Sequence, residues 1–140
     1  MYLFDTEVLS IMSPASKATA DERDRMGQSF IAPGFVSVVS LGEIQLGASL
    51  LAHRGASRKA ADLSAWLDAL MARFSDRVVL IDPETARMAG QLEASARSSG
   101  HDPGTQDAYI AACAKQNGLI VVTRNLRHFM AFGIPCRSPD

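Results

Sequence analysis

The chain has 140 residues, of which 47% are hydrophobic and 21% are charged, a composition typical of globular proteins. The formal net charge of −1 argues against strong non-specific nucleic-acid binding through overall charge, although it leaves room for a local basic patch. No segment resembles a signal peptide and no apolar run approaches the ~20 residues of a membrane span, so we expect one cytoplasmic domain over residues 1–140 and no membrane partner.

Strands and helices are predicted to alternate along the chain. The predicted strands are Met1–Phe4, Phe35–Val39, Val78–Ile81, Leu119–Val122 and, as a fifth, Gly133–Arg137. The predicted helices are Thr6–Met12, Ser40–His53, Ala60–Phe74, Glu84–Ser99, a helix that Thr105 caps and Gly118 ends, and a short helix or turn at Leu126–Phe132. Asp21–Gln28 is charged on most faces and should lie on the surface, and Pro33-Gly34 should break the chain. This order predicts an α/β fold with a central parallel sheet of four to five strands and helices on both faces.

Two carboxylates stand at helix starts but lean toward apolar faces. Asp107 lies in the first turn of its helix, where the dipole favours an acid, yet it shares a face with Ile110 and Ala111. Glu43 completes a capping box with Ser40, but it lies on the side of Leu46. A carboxylate on an apolar face is costly unless a partner compensates its charge, and either a capping bond or a metal ion would do so.

The polar ends of the predicted strands point to a common site. The carboxyl ends of parallel strands share one edge of a sheet, which brings together Asp5, the start of the Glu43 helix and Asn125. Asp107 opens a helix that ordinarily starts at the opposite edge, so it joins the others only if the loop His101–Gly104 carries the helix start across. If the four converge, their oxygens form a hard site suited to Mg²⁺ or Mn²⁺, which could hydrolyse a phosphodiester with an activated water. Thr6 and Thr123 offer hydroxyls that could orient a carboxylate, a water or the phosphate.

The helix Ala60–Phe74 carries a wide apolar stripe around the only tryptophan. Leu63, Trp66, Leu67 and Leu70 recur at helical spacing. Core packing explains such a stripe, and so does an interface between two copies of the chain. We predict that it contributes to a homodimer. The two cysteines, Cys113 and Cys136, have no metal-binding spacing and are expected to be a buried small hydrophobe and a surface thiol.

Four blocks in register resemble the signatures of PIN-domain ribonucleases, and their order is most similar to that of VapC-type toxins of bacterial toxin–antitoxin pairs. The blocks are FDTEVLS at Phe4–Ser10, SLGEIQLG at Ser40–Gly47, QDAYIAACA at Gln106–Ala114 and LIVVTRNLRHF at Leu119–Phe129. The resemblance implies a PIN-like three-layer fold and a Mg²⁺- or Mn²⁺-dependent endoribonuclease with a cognate antitoxin as partner. It implies that Asp5, Glu43 and Asp107 are metal ligands and that Asn125 is the fourth site residue. Arg124 and Arg127 are then candidate contacts to the RNA substrate.

Two residues depart from the family pattern. Glu7 stands where the family usually has Asn, and His128 stands where an acid is common. Glu7 and Asn125 motivate an alternative, a catalytically weak or inactive PIN module that binds an antitoxin and nucleic acid. A phosphatase of the haloacid-dehalogenase type also begins with an acidic strand end, but it requires a second Asp at position 7.

Overall fold

A computed structural model describes residues 1–29 and 34–140, with Ser29 described by its backbone alone. The strands are β1 (Tyr2–Phe4), β2 (Gly34–Ser37), β3 (Val78–Val79), β4 (Ile120–Val122) and β5 (Cys136–Arg137). The helices are α1 (Thr6–Ile11), α2 (Ala20–Ser29), α3 (Val38–His53), α4 (Ser57–Arg73), α5 (Pro83–Ser98), α6 (Thr105–Asn117) and α7 (Leu126–Ala131). Pro33 of the predicted chain break lies outside the described residues, and Gly34 opens β2.

The five strands form one sheet in the order β3-β2-β1-β4-β5, and every pair is parallel. Side chains alternate across this sheet, as the period of a strand requires. Leu3 and Val121 face a core formed with α5 and α6, whereas Phe4 and Val122 face a second core formed with α1, α3 and α4. The predicted three-layer α/β architecture is confirmed. No helix in the described ranges is long and apolar enough to cross a membrane.

An antiparallel pair of helices, α5 and α6, connects β3 to β4. The end of α5 meets the start of α6, where Thr105 Oγ1 donates to Glu93 Oε1 at 3.0 Å. The start of α5 lies near the end of α6. Asp82, which caps α5, is close enough to Cys113 of α6 for its charge to raise the pKa of the Cys113 thiol, although burial raises that pKa more. The chain therefore returns to the carboxyl edge of the sheet before α6 begins, which places Asp107 at that edge.

The structure corrects two predicted helix caps. Ser37, not Ser40, caps α3, since its extended backbone lets its side chain accept a hydrogen bond from the Ser40 N–H. Glu43 is therefore not part of a capping box. Gly104, not Thr105, precedes α6, and no side chain caps that helix. Gly118 ends α6 in the left-handed conformation, as predicted, with a φ of 62°.

The apolar stripe on α4 mostly belongs to the core of the chain itself. Leu63, Leu67 and Leu70 are buried against the sheet and α1, while Trp66 is only partly buried. Little surface of these leucines is left for an interface between two chains, whereas Trp66 keeps part of its surface exposed. The homodimer and the contribution of α4 to it stay predictions.

Candidate active site

Asp5 is the buried centre of a polar cluster at the carboxyl edge of the sheet. It ends β1, caps α1 and is only 5% exposed. Its Oδ1 accepts from the Thr6 N–H at 2.7 Å, and its Oδ2 accepts from the Thr123 hydroxyl at 2.8 Å. Thr123 follows β4 and is itself buried, and it accepts in turn from the Asn125 N–H at 2.9 Å. Residues of two neighbouring strand ends therefore fix the Asp5 carboxylate.

The electrostatics of Asp5 reveal its acidic neighbours. Burial raises the pKa of the Asp5 carboxyl to about 6, and the nearby carboxylates of Asp107 and Glu43 add to the rise. The hydrogen bonds from Thr123 and from the Thr6 backbone oppose it. The structure thus brings Glu43 and Asp107 close enough to Asp5 to repel its negative charge.

Glu43 is held by a hydroxyl from the first helix. It lies in α3, nearly two turns beyond the Ser37 cap, and is partly exposed. Thr6 Oγ1 lies 2.8 Å from Glu43 Oε1 and 2.8 Å from the buried Ser40 Oγ. Because a carboxylate can only accept, Thr6 donates to Glu43. Sequence reasoning assigned Ser40 to a cap and missed this contact, although Ser40 and Glu43 are three residues apart on a helix and so share a face.

Asp107 is held by His128. The Asp107 Oδ2 lies 2.7 Å from His128 Nδ1, and Asn125 Nδ2 lies 2.6 Å from the same nitrogen. One ring nitrogen carries either a proton or a lone pair, so with Nδ1 protonated it donates to Asp107. A protonated Nδ1 cannot also accept from the Asn125 amide, so the hydrogen bond that ties Asn125 to the acidic cluster is the one from its backbone N–H to Thr123 Oγ1. The sequence singled out His128 only as a departure from a pattern and did not anticipate that it orients Asp107.

The remaining predicted residues surround this cluster. Glu7 is exposed and lines a groove of about 360 Å³ that Thr6, Glu43 and Arg124 also line. Arg124 lies 3.4 Å from Glu22 of α2 and forms an ion pair with it. Arg127 is exposed in the first turn of α7, on the far side of His128. The two arginines that follow β4 therefore differ in their surroundings.

The acidic cluster has oxygen donors but no ready-made arrangement for a cation. Across residues 1–29 and 34–140, no three His, Cys, Asp or Glu side chains are arranged to hold a metal ion. The donors nonetheless have the chemistry of a hard-cation site, since all are oxygens. A buried carboxylate that two other carboxylates destabilise is also stabilised by an opposite charge. By this criterion, the donor set fits a divalent cation.

A family model described as "PIN domain" matches residues 2–132. The chain belongs to the PIN-domain family. It is 29% identical over 106 residues to Toxin FitB of Neisseria gonorrhoeae, covering 75% of this chain and 74% of that protein. It is 28% identical over 144 residues to VapC ribonuclease Y4jK of Sinorhizobium fredii, covering 99% of this chain and 97% of that protein. The predicted resemblance to PIN-domain toxins is confirmed.

Solved structures show the same PIN fold. The crystal structure of FitAcB from Neisseria gonorrhoeae superposes with a TM-score of 0.81 at 27% identity, covering 99% of this chain and 98% of that one. DNA-bound VapBC from Salmonella typhimurium superposes with a TM-score of 0.75 at 25% identity, covering 99% of this chain and 98% of that one. The three-layer PIN-like architecture is thus common to this protein and these toxin–antitoxin complexes.

Proposed function

We propose that this protein is the toxin of a toxin–antitoxin pair and acts in the cytoplasm as a Mg²⁺- or Mn²⁺-dependent endoribonuclease. The observation that carries the proposal is the convergence of Asp5, Glu43 and Asp107 at one edge of the sheet of a PIN-domain protein. The names of its relatives, a toxin and a VapC ribonuclease, support the same assignment. We treat residues 1–140 as one PIN domain.

The residues of the cluster divide into ligands and the groups that orient them. Asp5, Glu43 and Asp107 would hold the cation, which would lower the pKa of a bound water and stabilise charge on the phosphodiester. Thr123 orients Asp5, Thr6 orients Glu43, and His128 orients Asp107. A hydrogen bond from a neighbouring side chain fixes the direction of each carboxylate before substrate arrives, which lowers the cost of organising the site.

The antitoxin is proposed to neutralise the same acids. Solved complexes named FitAB and VapBC pair relatives of this chain with partner proteins. Without a cation, Asp5, Glu7, Glu43 and Asp107 leave several negative charges at one edge of the sheet, and a guanidinium binds carboxylates bidentately. A basic side chain from a segment that orders on binding would occupy this edge and block RNA.

The decisive experiment compares RNA cleavage by the wild type and by Asp5→Asn, with and without Mn²⁺. Asn is as good a helix cap as Asp and keeps the shape of the side chain, so the variant should fold. We expect metal-dependent cleavage by the wild type and a loss in the variant that exceeds the roughly 10- to 100-fold typical of outer-sphere changes. Asp62→Asn, on the exposed surface of α4, is the control and should cleave normally.

Two outcomes contradict the proposal. Equal cleavage by the wild type and Asp5→Asn would show that the activity comes from elsewhere. A wild type that binds its antitoxin but cleaves no RNA in any metal would favour the alternative, a catalytically inactive PIN module, which Glu7 and Asn125 motivate.

A further inference from the structure

A second cavity adjoins the acidic cluster on the side of His128. It has a volume of about 170 Å³, several times the ~30 Å³ that one water occupies in the liquid. The loop between α5 and α6 forms one wall and α7 forms the other, with the lining residues Gly100, His101, Asp102, Pro103, Arg127, His128 and Ala131. We call it the α7 pocket. His128 separates it from Asp107, because the His128 ring lines the pocket and contacts the Asp107 carboxylate at 2.7 Å.

The α7 pocket offers an uncommitted cation. Within the part of the chain that the structure describes, Arg127 forms no ion pair and no side-chain hydrogen bond, and its side chain is exposed. The side chain of His101 is likewise exposed in the opposite wall. The carboxylate in the lining, Asp102, is 86% exposed and lies 4.0 Å from Arg97, which offsets its charge. The pocket therefore presents hydrogen-bond donors without a bound acceptor.

Arg124 is placed differently, although it is only three residues away. Its guanidinium lies 3.4 Å from the Glu22 carboxylate, and both side chains are about one-third exposed. A phosphate would have to compete with Glu22 for this arginine. Between β4 and β5 there are two arginines. As far as the described residues show, Arg127 can bind an anion without breaking an ion pair, whereas Arg124 cannot.

We propose that the α7 pocket binds a backbone phosphate of single-stranded RNA, next to the phosphodiester at the acidic cluster. This inference rests on the proposed function, since it assigns a subsite to the same substrate. An RNA strand that approaches Asp5, Glu43 and Asp107 meets electrostatic repulsion, and a guanidinium one side chain away compensates for it. Guanidinium groups bind phosphate through two parallel hydrogen bonds, and the His101 ring supplies a further donor. Such a contact positions the strand and carries no sequence information.

The experiment measures binding separately from cleavage. In the Asp5→Asn background without metal, fluorescence anisotropy gives the affinity for two unrelated single-stranded RNA oligonucleotides over a series of salt concentrations. Arg127→Gln should weaken binding roughly tenfold, the effect of one charged hydrogen bond, and equally for both sequences. The plot of log affinity against log salt concentration should become less steep by about 0.7, the value for one phosphate contact in a single strand.

Arg58→Gln is the matched control. Arg58→Gln removes the same charge as Arg127→Gln, but from an exposed position in the first turn of α4. That turn lies at the opposite edge of the sheet, because α3 begins at the site edge and runs away from it before α4 begins. Its affinity and salt slope should equal those of the background protein. Arg124→Gln should reduce affinity less than Arg127→Gln, since Glu22 already neutralises Arg124.

Three results would overturn the subsite. The first is that the Arg127→Gln and Arg58→Gln proteins bind RNA with equal affinity, and the second is that the Asp5→Asn background binds no RNA. The third is that Arg127→Gln weakens binding of RNA but not of single-stranded DNA of the same sequence, since DNA has the same phosphates. Cleavage by the wild type, measured in parallel, tests the nuclease proposal independently. If the wild type cleaves RNA and Arg127→Gln does not change RNA affinity, only the subsite proposal fails. If Arg127→Gln weakens RNA binding but the wild type cleaves no RNA, only the nuclease proposal fails.

Discussion

Asp5 holds a negative charge where the protein itself provides too little compensation. The carboxylate is buried beside two other acids, and two hydrogen bonds offset only part of the cost. Ionised side chains are normally excluded from such positions unless paired. The residue most important for the proposed chemistry is therefore also one that lowers the stability of the folded chain at neutral pH.

The raised pKa of Asp5 predicts how stability depends on pH. Because the folded pKa of about 6 lies above the ordinary value of 3.8, protonation of Asp5 favours the folded state. This stabilisation is complete below about pH 4 and is lost as the pH rises through about 6. The neutral Asp5→Asn variant should therefore be more stable than the wild type at pH 7.5, by up to roughly 3 kcal/mol, since one pKa unit is worth about 1.4 kcal/mol.

Urea denaturation with a chelator present, at pH 7.5 and near pH 4, measures this difference. The advantage of Asp5→Asn should shrink toward zero at the lower pH, while Asp62→Asn should show no such trend. A variant that is less stable than the wild type at pH 7.5 but equally stable near pH 4 would show that the ionised carboxylate stabilises the fold, contrary to the raised pKa.

At the scale of secondary-structure elements, close packing of β1 on β2 sets the position of Asp5. Tyr2 pairs with Gly34 in the parallel ladder, and the Phe4 ring occupies the space beside Gly34. A Cβ at Gly34 would overlap that ring. Phe4 immediately precedes Asp5, so we propose that a displacement of the Phe4 ring is coupled to the position of Asp5.

We predict opposite effects for two glycine-to-alanine changes. Gly34→Ala should lower the free energy of unfolding by about 1–3 kcal/mol, the usual cost of overpacking. Gly90→Ala, in the middle of α5 with no described atom near the new methyl, should raise it by roughly 0.5–1 kcal/mol, because alanine favours a helix. Thermal or urea unfolding of both proteins tests this. A neutral or stabilising Gly34→Ala would mean that Phe4 moves freely, and the proposed coupling to Asp5 would be lost.

At the scale of the whole molecule, the proposed cation site would link folding to cation binding. Asp5 follows β1, whereas Glu43 lies in α3 and Asp107 in α6, so unfolding separates them and abolishes any shared site. A ligand that binds only the folded chain raises its stability by mass action.

Mn²⁺ should accordingly raise the melting temperature. At ten times the dissociation constant the gain is about 1.4 kcal/mol, or on the order of 4 °C for a chain of this length. Asp107→Asn should remove most of the gain, and Asp62→Asn should retain it, in calorimetry or fluorescence-monitored melting. A wild type that melts at the same temperature with millimolar Mn²⁺ as with chelator would contradict the cation site.

Local patterns in the chain were sufficient to predict most of its elements. Alternating apolar runs and helical stripes located the five strands and placed Asp5 at the end of β1 and Asn125 after β4. These signals are short in range, because propensity, capping and hydrophobic period depend on residues a few positions apart. Family-like blocks added the identity of the acids, and the family match confirms the PIN assignment.

Contacts between distant residues determined the rest. Ser37 and Ser40 carry similar local signals for a helix cap, and the structure distinguishes them because β2 ends at Ser37. Arg124 and Arg127 are likewise similar in sequence, and the structure distinguishes them by the ion pair between Arg124 and Glu22. The buried face of α4 and the arrival of Asp107 at the site edge depend on how α4, α5 and α6 pack. Packing and long-range charge pairing act across tens to a hundred residues, as in the bond from Thr123 to Asp5, so no local pattern encodes them.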